Sequence, residues 1–284
     1  MSLVIWAGGR LRPESEPVVG ATDHGLTVGD GVFETCEVTG GRAFALTRHL
    51  RRLESNARAL GLVPAPEDEI RSAVEAVLAG FDASAGRLRI TLTGGPGPMG
   101  SGRGDAGPTL IVVAGPGRAA STARAVRVPW VRNERSAVAG LKTTSYAENV
   151  VALARAVSAG ADEALLANTR DELCEGTGSN VFVERDGELL TPGLESGCLA
   201  GISRALLLEW AAQDGLPVRE VAPAELPYRV LDEISAGRGG LAITSSTRHV
   251  APVISLDGVE LAVGVVTRAA RELFRTRAAL DLDP

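Results

Sequence analysis

Apolar positions along this chain recur with two periods, which alternate often. Residues 4–7 are a short apolar run closed by Gly8-Gly9, a strand running into a turn. Residues 32–38 alternate, and Gly40-Gly41 closes them as a hairpin. After Thr47, a good helix cap, Leu50, Leu53, Ala57 and Leu60 return at helical spacing until Gly61 stops them. A second amphipathic helix is predicted over 67–79, and strands over 87–93 and 109–114. In the second half the pattern predicts a strand at 126–130. A helix over 146–159 follows, with Val150, Leu153, Ala154 and Val157 as its apolar face. Further strands are expected at 163–168, after the polar turn 172–180, at 188–191 across Asp186-Gly187, at 218–221 and at 241–244. Helices are expected from Gly201 to about 214, over 225–232 and over 265–277. Strands and helices mix irregularly and no internal repeat is present, so the chain reads as α+β, not as a doubly wound parallel sheet.

Three stretches stand outside this pattern. Gly25, Gly29 and Gly31 crowd into seven residues, which implies tight turns or a backbone held close to something. Residues 94–107 hold seven glycines, two prolines and one basic residue, Arg103. A loop of that length in a compact protein is usually functional or disordered. Residues 116–122 are small and polar and read as a linker between domains at 1–115 and 123–284.

Composition narrows the class. The 284 residues allow one large domain or two ordinary ones, and 45% hydrophobic content supports a real core. Aromatics are only 4%, so that core is aliphatic. A net charge of -6, with arginines scattered except at Arg48, Arg51 and Arg52, excludes a nucleic-acid surface. Those three arginines fall largely off the apolar stripe and by default form a solvated face. No apolar run approaches the length of a membrane span, and the N-terminus lacks the features of a signal peptide. Cys36, Cys174 and Cys198 are isolated, and His24, His49 and His249 are scattered, so no metal site is expected. The expectation is a cytoplasmic protein with reduced thiols and with neither nucleic acid nor membrane as partner.

One compositional feature points to chemistry. Of 29 basic residues, only Lys142 is a lysine. Arginine replaces lysine wherever a solvated positive charge suffices, but its guanidinium stays protonated. A lysine amine can lose its proton and attack a carbonyl. A chain drifting towards arginine would therefore spare the lysine that reacts; survival by chance is the alternative.

A reactive lysine needs a carbonyl partner. If that partner is pyridoxal phosphate, a carboxylate must face the pyridine nitrogen. The phosphate needs a helix N-terminus, hydroxyls and an arginine fork. Glu175 sits in a glycine-flanked turn before an apolar strand, Gly201-Ile202-Ser203 opens a helix, and Ser245-Ser246-Thr247 cluster hydroxyls at a strand end. Each alone also has a plain structural reading, as a turn or a helix entry.

Taken in order, Gly29-Asp30-Gly31-Val32-Phe33-Glu34-Thr35, the Lys142 segment, Glu175-Gly176-Thr177-Gly178-Ser179-Asn180-Val181-Phe182 and Gly201-Ile202-Ser203-Arg204 resemble the class IV aminotransferase family. That family includes branched-chain and D-amino-acid aminotransferases and aminodeoxychorismate lyase. The resemblance covers about residues 3–275. It implies a two-domain pyridoxal-phosphate fold of type IV, a small N-terminal α+β domain and a larger C-terminal pseudo-barrel, with the cofactor between them in a homodimer. It implies that Lys142 carries pyridoxal 5'-phosphate and shuttles the proton, that Glu175 pairs with the pyridinium, and that Arg52 binds the phosphate. Gly201, Ile202 and Ser203 would add amides and a hydroxyl, and Ser246 and Thr247 further hydroxyls. Arg103, Val28, Phe33 and Tyr146 are the expected substrate contacts. The chain departs from many members at Val28, where they carry an aromatic, and at Gly94, where lyase-like members carry an arginine. Gly102-Arg103-Gly104 nevertheless resembles a segment of the lyase. Together with Lys142-Thr143-Thr144-Ser145 and Glu175-Gly176-Thr177-Gly178-Ser179-Asn180, it makes the leading expectation aminodeoxychorismate lyase, which produces 4-aminobenzoate and pyruvate for folate synthesis. A branched-chain or D-amino-acid aminotransferase is the alternative, and a cofactor-free binding protein on the same fold a distant one.

Overall fold

The computed structural model describes residues 3–117 and 120–284. They fall into two compact units. The first takes the N-terminal stretch through Gly117 together with Leu141–Tyr146 and Asp281–Pro284; the second takes the remainder. Of the expected linker, Arg118 and Ala119 lie outside the described residues.

The first unit is built on β1 (Val4–Ala7), β2 (Arg10–Arg12), α1 (His24–Thr27), β3 (Gly31–Thr39), β4 (Arg42–Ala43), α2 (Leu46–Leu60), α3 (Glu67–Ala79), β5 (Ala85–Thr93) and β6 (Thr109–Pro116). Its strands form one antiparallel sheet in the order β2-β1-β6-β5-β3-β4. Alternation along β3 and β5 sends Val32, Cys36, Val38, Leu88, Ile90 and Leu92 into a core shared with Leu50, Leu53, Ile70 and Val74 of α2 and α3. Phe33, Thr35, Arg89 and Thr91 alternate with them along the strands.

Helix α2 does not start as its sequence predicts. Ala45 stands at the N-cap with φ +53 and makes no side-chain cap. The C-terminal tail supplies the missing partners. Asp283 accepts from both the amide and the hydroxyl of Thr47, at 2.8 and 2.6 Å, and Ala45 N donates to Leu282 O. Thr47 is thus a capped residue, not the cap, because an acceptor far along the chain reaches the exposed amides first.

The second unit comprises β7 (Ala123–Arg132), α4 (Ala147–Ser158), β8 (Glu163–Asn168), β9 (Leu173–Gly176), β10 (Asn180–Arg185), β11 (Glu188–Pro192), α5 (Ile202–Asp214), β12 (Val218–Val221), α6 (Val230–Ser235), β13 (Gly240–Ser245), β14 (His249–Leu256), β15 (Val259–Glu260) and α7 (Val265–Leu280). Strands run β12-β11-β10-β13-β14-β7-β8-β9, and the pair Asn180–Glu175 joins β9 back to β10. Six strands therefore close on themselves like a barrel around Leu165, Val181, Ile243 and Val253.

Two expectations in this unit need correction. Residues 225–232 are not one helix: a 3-10 turn (Pro223–Glu225) is separated from α6, because Pro227 lacks an amide hydrogen and forces Leu226 out of the helical region. On α4 the large aliphatics do not face inward. Asn149, Ala152 and Ala156 are buried, and the helix packs on Val126, Val128, Ala164 and Leu166 of the sheet. Small residues let it lie close to the strands, and Val150, Leu153 and Val157 are left exposed. Among the described residues no helix is long and apolar enough to cross a membrane.

Candidate functional site

Lys142 lies on an extended segment laid against the start of β3. Phe33 N donates to Lys142 O at 3.1 Å, Thr144 N donates to Gly31 O at 2.8 Å, and Val32 bridges Thr143. These bonds are why Leu141–Tyr146 belongs with the first unit and not with the C-terminal stretch. They also account for the glycines before β3. Gly29 has φ +68, and a Cβ there would stand 2.6 Å from Ser145 Oγ.

Phe33 turns towards the lysine. Lys142 Nζ sits 4.3 Å from the Phe33 ring and donates to Tyr146 Oη at 3.4 Å. The Tyr146 ring meets Phe33 edge-on, with centroids 5.1 Å apart. Two rings thus hold the amine in place. The Arg89 guanidinium stacks 3.8 Å from the same Phe33 ring. Arg89 remains exposed, its Nε donates to Thr91 Oγ1, and among the described residues no carboxylate pairs with it. Nothing in the sequence pattern distinguishes Arg89 from any other strand arginine.

Glu34, next to Phe33, points the other way, into the aliphatic core. It is fully buried, and Arg52 clasps it with Nε and Nη2 at 2.7 Å each. His49 Nδ1 lies 2.6 Å from Oε2. Arg52 is therefore not part of a solvated face, because a buried carboxylate draws it inward. Burial alone would push the Glu34 carboxyl up. The charge and fork of Arg52, with the bond to His49, outweigh burial and hold the pKa at about 2. Burial lowers His49 below the ordinary imidazole value, the bond to Glu34 opposes this, and Arg52 and Lys142 add to it.

Both shifts act in one direction with pH. Each group binds its proton more readily in the unfolded chain, so acid destabilises the fold. The His49 contribution declines as pH falls below 6.5, and that of Glu34 is lost between 4.5 and about 2. Urea midpoints should fall from pH 7 to pH 5, and less steeply in His49→Gln. Equal slopes in the two proteins would contradict this origin.

In the second unit Glu175 is buried on β9. Arg132 Nε donates to its Oε1 at 3.1 Å and Leu199 N to its Oε2 at 2.9 Å. Asn180 ties the neighbouring parts together. It pairs with both Glu175 and Thr244 across the sheet, its Nδ2 donates to Leu199 O, and its Oδ1 lies against Gly201. A Cβ at Gly201 would come within 1.9 Å of that oxygen, so a larger residue would have to displace the Asn180 side chain from Leu199 O. Gly201 is the N-cap of α5 and provides no side-chain cap for its amides; Ile202 and Ser203 form the first turn. The Ser203 hydroxyl donates to Ser245 O, which joins this helix start to the turn carrying Ser246 and Thr247. Thr244 Oγ1 is buried and has no hydrogen-bond partner among the described residues. Sequence reasoning misses Arg132 and Asn180: the first has no motif, and the second lies within one as a turn residue.

The remaining expected substrate contacts divide. Val28 is exposed at the end of α1. Arg103 clasps Asp30 with Nε and Nη2 at 2.7 Å each and donates to Leu60 O and Gly61 O at the end of α2. Its fork is spent holding the 94–107 loop, which His24 also anchors through Pro98 O.

Residues 31–256 match the family model for amino-transferase class IV, and the chain belongs to that family. Its members are pyridoxal-phosphate-dependent enzymes, and the α+β fold of type IV is the one expected. The chain is 30% identical over 280 residues, 95% of each chain, to a Methanocaldococcus jannaschii protein proposed by its name as a branched-chain-amino-acid aminotransferase. It is 28% identical over 310 residues, 98% of this chain and 100% of the relative, to the bifunctional aminodeoxychorismate lyase / D-amino acid transaminase of Mycobacterium tuberculosis. A hypothetical aminotransferase of M. tuberculosis in its PLP-bound form superposes with a TM-score of 0.83 at 28% identity, covering 100% of both chains.

The residues present suit that cofactor. The lone lysine supplies an amine, Glu175 a buried carboxylate, and the start of α5 a set of amides without a side-chain cap behind Gly201, which has no side chain to cover them.

Proposed function

We propose that this protein is an aminotransferase that moves an amino group between an α-amino acid and a 2-keto acid. Bound pyridoxal phosphate would supply a carbonyl that captures the substrate amine and a protonated ring that takes up the electron pair of the broken C–H bond. Lys142 would bind the cofactor and carry the proton to and from carbon. Tyr146 and Phe33 hold its amine in place for this transfer. Glu175, kept in position by Arg132 and Leu199 N, would hold the proton on the ring nitrogen. Arg52, the amides of Gly201, Ile202 and Ser203, and the hydroxyls of Ser203, Ser246 and Thr247 would hold the phosphate.

The observation that carries the substrate class is Arg89. This cation stacks on the ring that also contacts Lys142, and no protein carboxylate pairs with it among the described residues, so it offers an ion pair to an acidic substrate. The lyase reading takes part of its support from Arg103, whose fork is accounted for by Asp30 and the end of α2. It keeps the support of the bifunctional relative, and with it a place in folate synthesis. A homodimer is part of the same proposal, supported by exposed Val150, Leu153 and Val157 on α4. A cytoplasmic location is supported by three buried free thiols.

The test offers the cofactor-loaded protein single amino donors (L-Leu, L-Glu, D-Ala) with a 2-keto acid acceptor, and separately aminodeoxychorismate. Amino transfer from one donor supports the proposal and gives its handedness. Release of 4-aminobenzoate without amino transfer would replace it with the lyase, and neither product would overturn both.

A further inference from the structure

We infer that Glu34 and His49 are positioning residues that aim Arg52 at the anionic end of the cofactor; this rests on the proposed assignment of Arg52 to the phosphate. Alternation along β3 sets Glu34 among Val32, Cys36 and Val38, where an aliphatic side chain would be the ordinary choice. A buried ion pair is a weak source of stability, since well-packed apolar residues of similar volume serve as well or better. Its presence in this core therefore calls for another role, and the geometry supplies one.

Glu34 takes Arg52 through Nε and Nη2, a two-point grip that fixes the plane of the guanidinium and not only its position. The grip thereby sets the direction of Nη1 as well. His49 stands one turn before Arg52 on α2 and contacts the same carboxylate, Nδ1 to Oε2 at 2.6 Å, so the acceptor cannot swing away. An arginine left to itself would have to order its long side chain on meeting an anion. Here that ordering is done in advance by two residues that need not touch the anion.

The test compares two ligands that differ only in the phosphate. The apo forms of the wild type, Glu34→Gln, His49→Gln and Arg52→Gln are titrated with pyridoxal 5'-phosphate and with pyridoxal, and binding is read from visible absorbance. Glu34→Gln should weaken pyridoxal 5'-phosphate about tenfold or more and leave pyridoxal within about twofold. His49→Gln should act in the same direction by about threefold. It retains both the carboxylate and Arg52, and is decisive if Glu34→Gln does not fold. Equal losses for both ligands would mean a merely structural role and overturn the inference, as would an unchanged preference for the phosphorylated ligand. Arg52→Gln separates the two levels of failure. If it alone loses the preference, the positioning role is wrong and the phosphate assignment stands; if it too keeps the preference, the assignment falls and the inference with it.

Discussion

Replacing Lys142 by arginine should reduce turnover at least about a thousandfold and leave the fold intact. The substitution keeps the charge and much of the stem, and the Lys142 side chain is only partly buried. The backbone bonds of Lys142 O and Thr144 N to β3 do not depend on the side chain. What disappears is an amine that can lose its proton. Turnover with the best donor and the urea midpoint should be measured together. An active variant would end the assignment of Lys142, whereas loss of both activity and fold would mark the segment as structural. The chain has no second lysine to take over.

Glu175→Gln should lower kcat roughly a hundredfold, with a smaller change in cofactor affinity. The amide keeps the shape and can still accept from Leu199 N, but it brings no negative charge to the ring nitrogen. Arg132→Met should act in the same direction by about tenfold, since it leaves the carboxylate in place without one of the groups that hold it. A Glu175→Gln enzyme within about twofold of the wild type in kcat would remove this residue from the chemistry.

Several of these groups are legible in the amino-acid sequence alone. Lys142 stands out because it is the single lysine among 29 basic residues. The glycines at 25, 29 and 31 announce a close backbone approach, and the 141–146 segment does lie against that run. Glu175 draws notice as a carboxylate beside glycines ahead of an apolar strand, and the structure places it on β9 and not in a turn. Arg52 reads two ways, as solvated by its place on the helix and as a phosphate ligand by resemblance. Only the burial of Glu34 shows why it turns inward.

Local pattern is enough for the existence and kind of most elements. Periodicity and turn residues act between near neighbours, so α3, α5 and β12 can be read from their own stretches. The face that α4 buries cannot. Hydrophobicity marks Val150, Leu153 and Val157, but close packing on β7 and β8 selects Ala152 and Ala156. Contacts between distant residues are equally hidden: Arg132 meets Glu175 across 43 positions, and Asp283 caps Thr47 across 236. Spacing in the chain carries no trace of such pairs, because the folded backbone, not the local conformational preference of either residue, brings them together. The sequence by itself therefore determined most of the elements and the family, and it singled out Lys142 as the one lysine. The tertiary structure decided which carboxylates and arginines hold one another, and so which groups are left to meet a ligand.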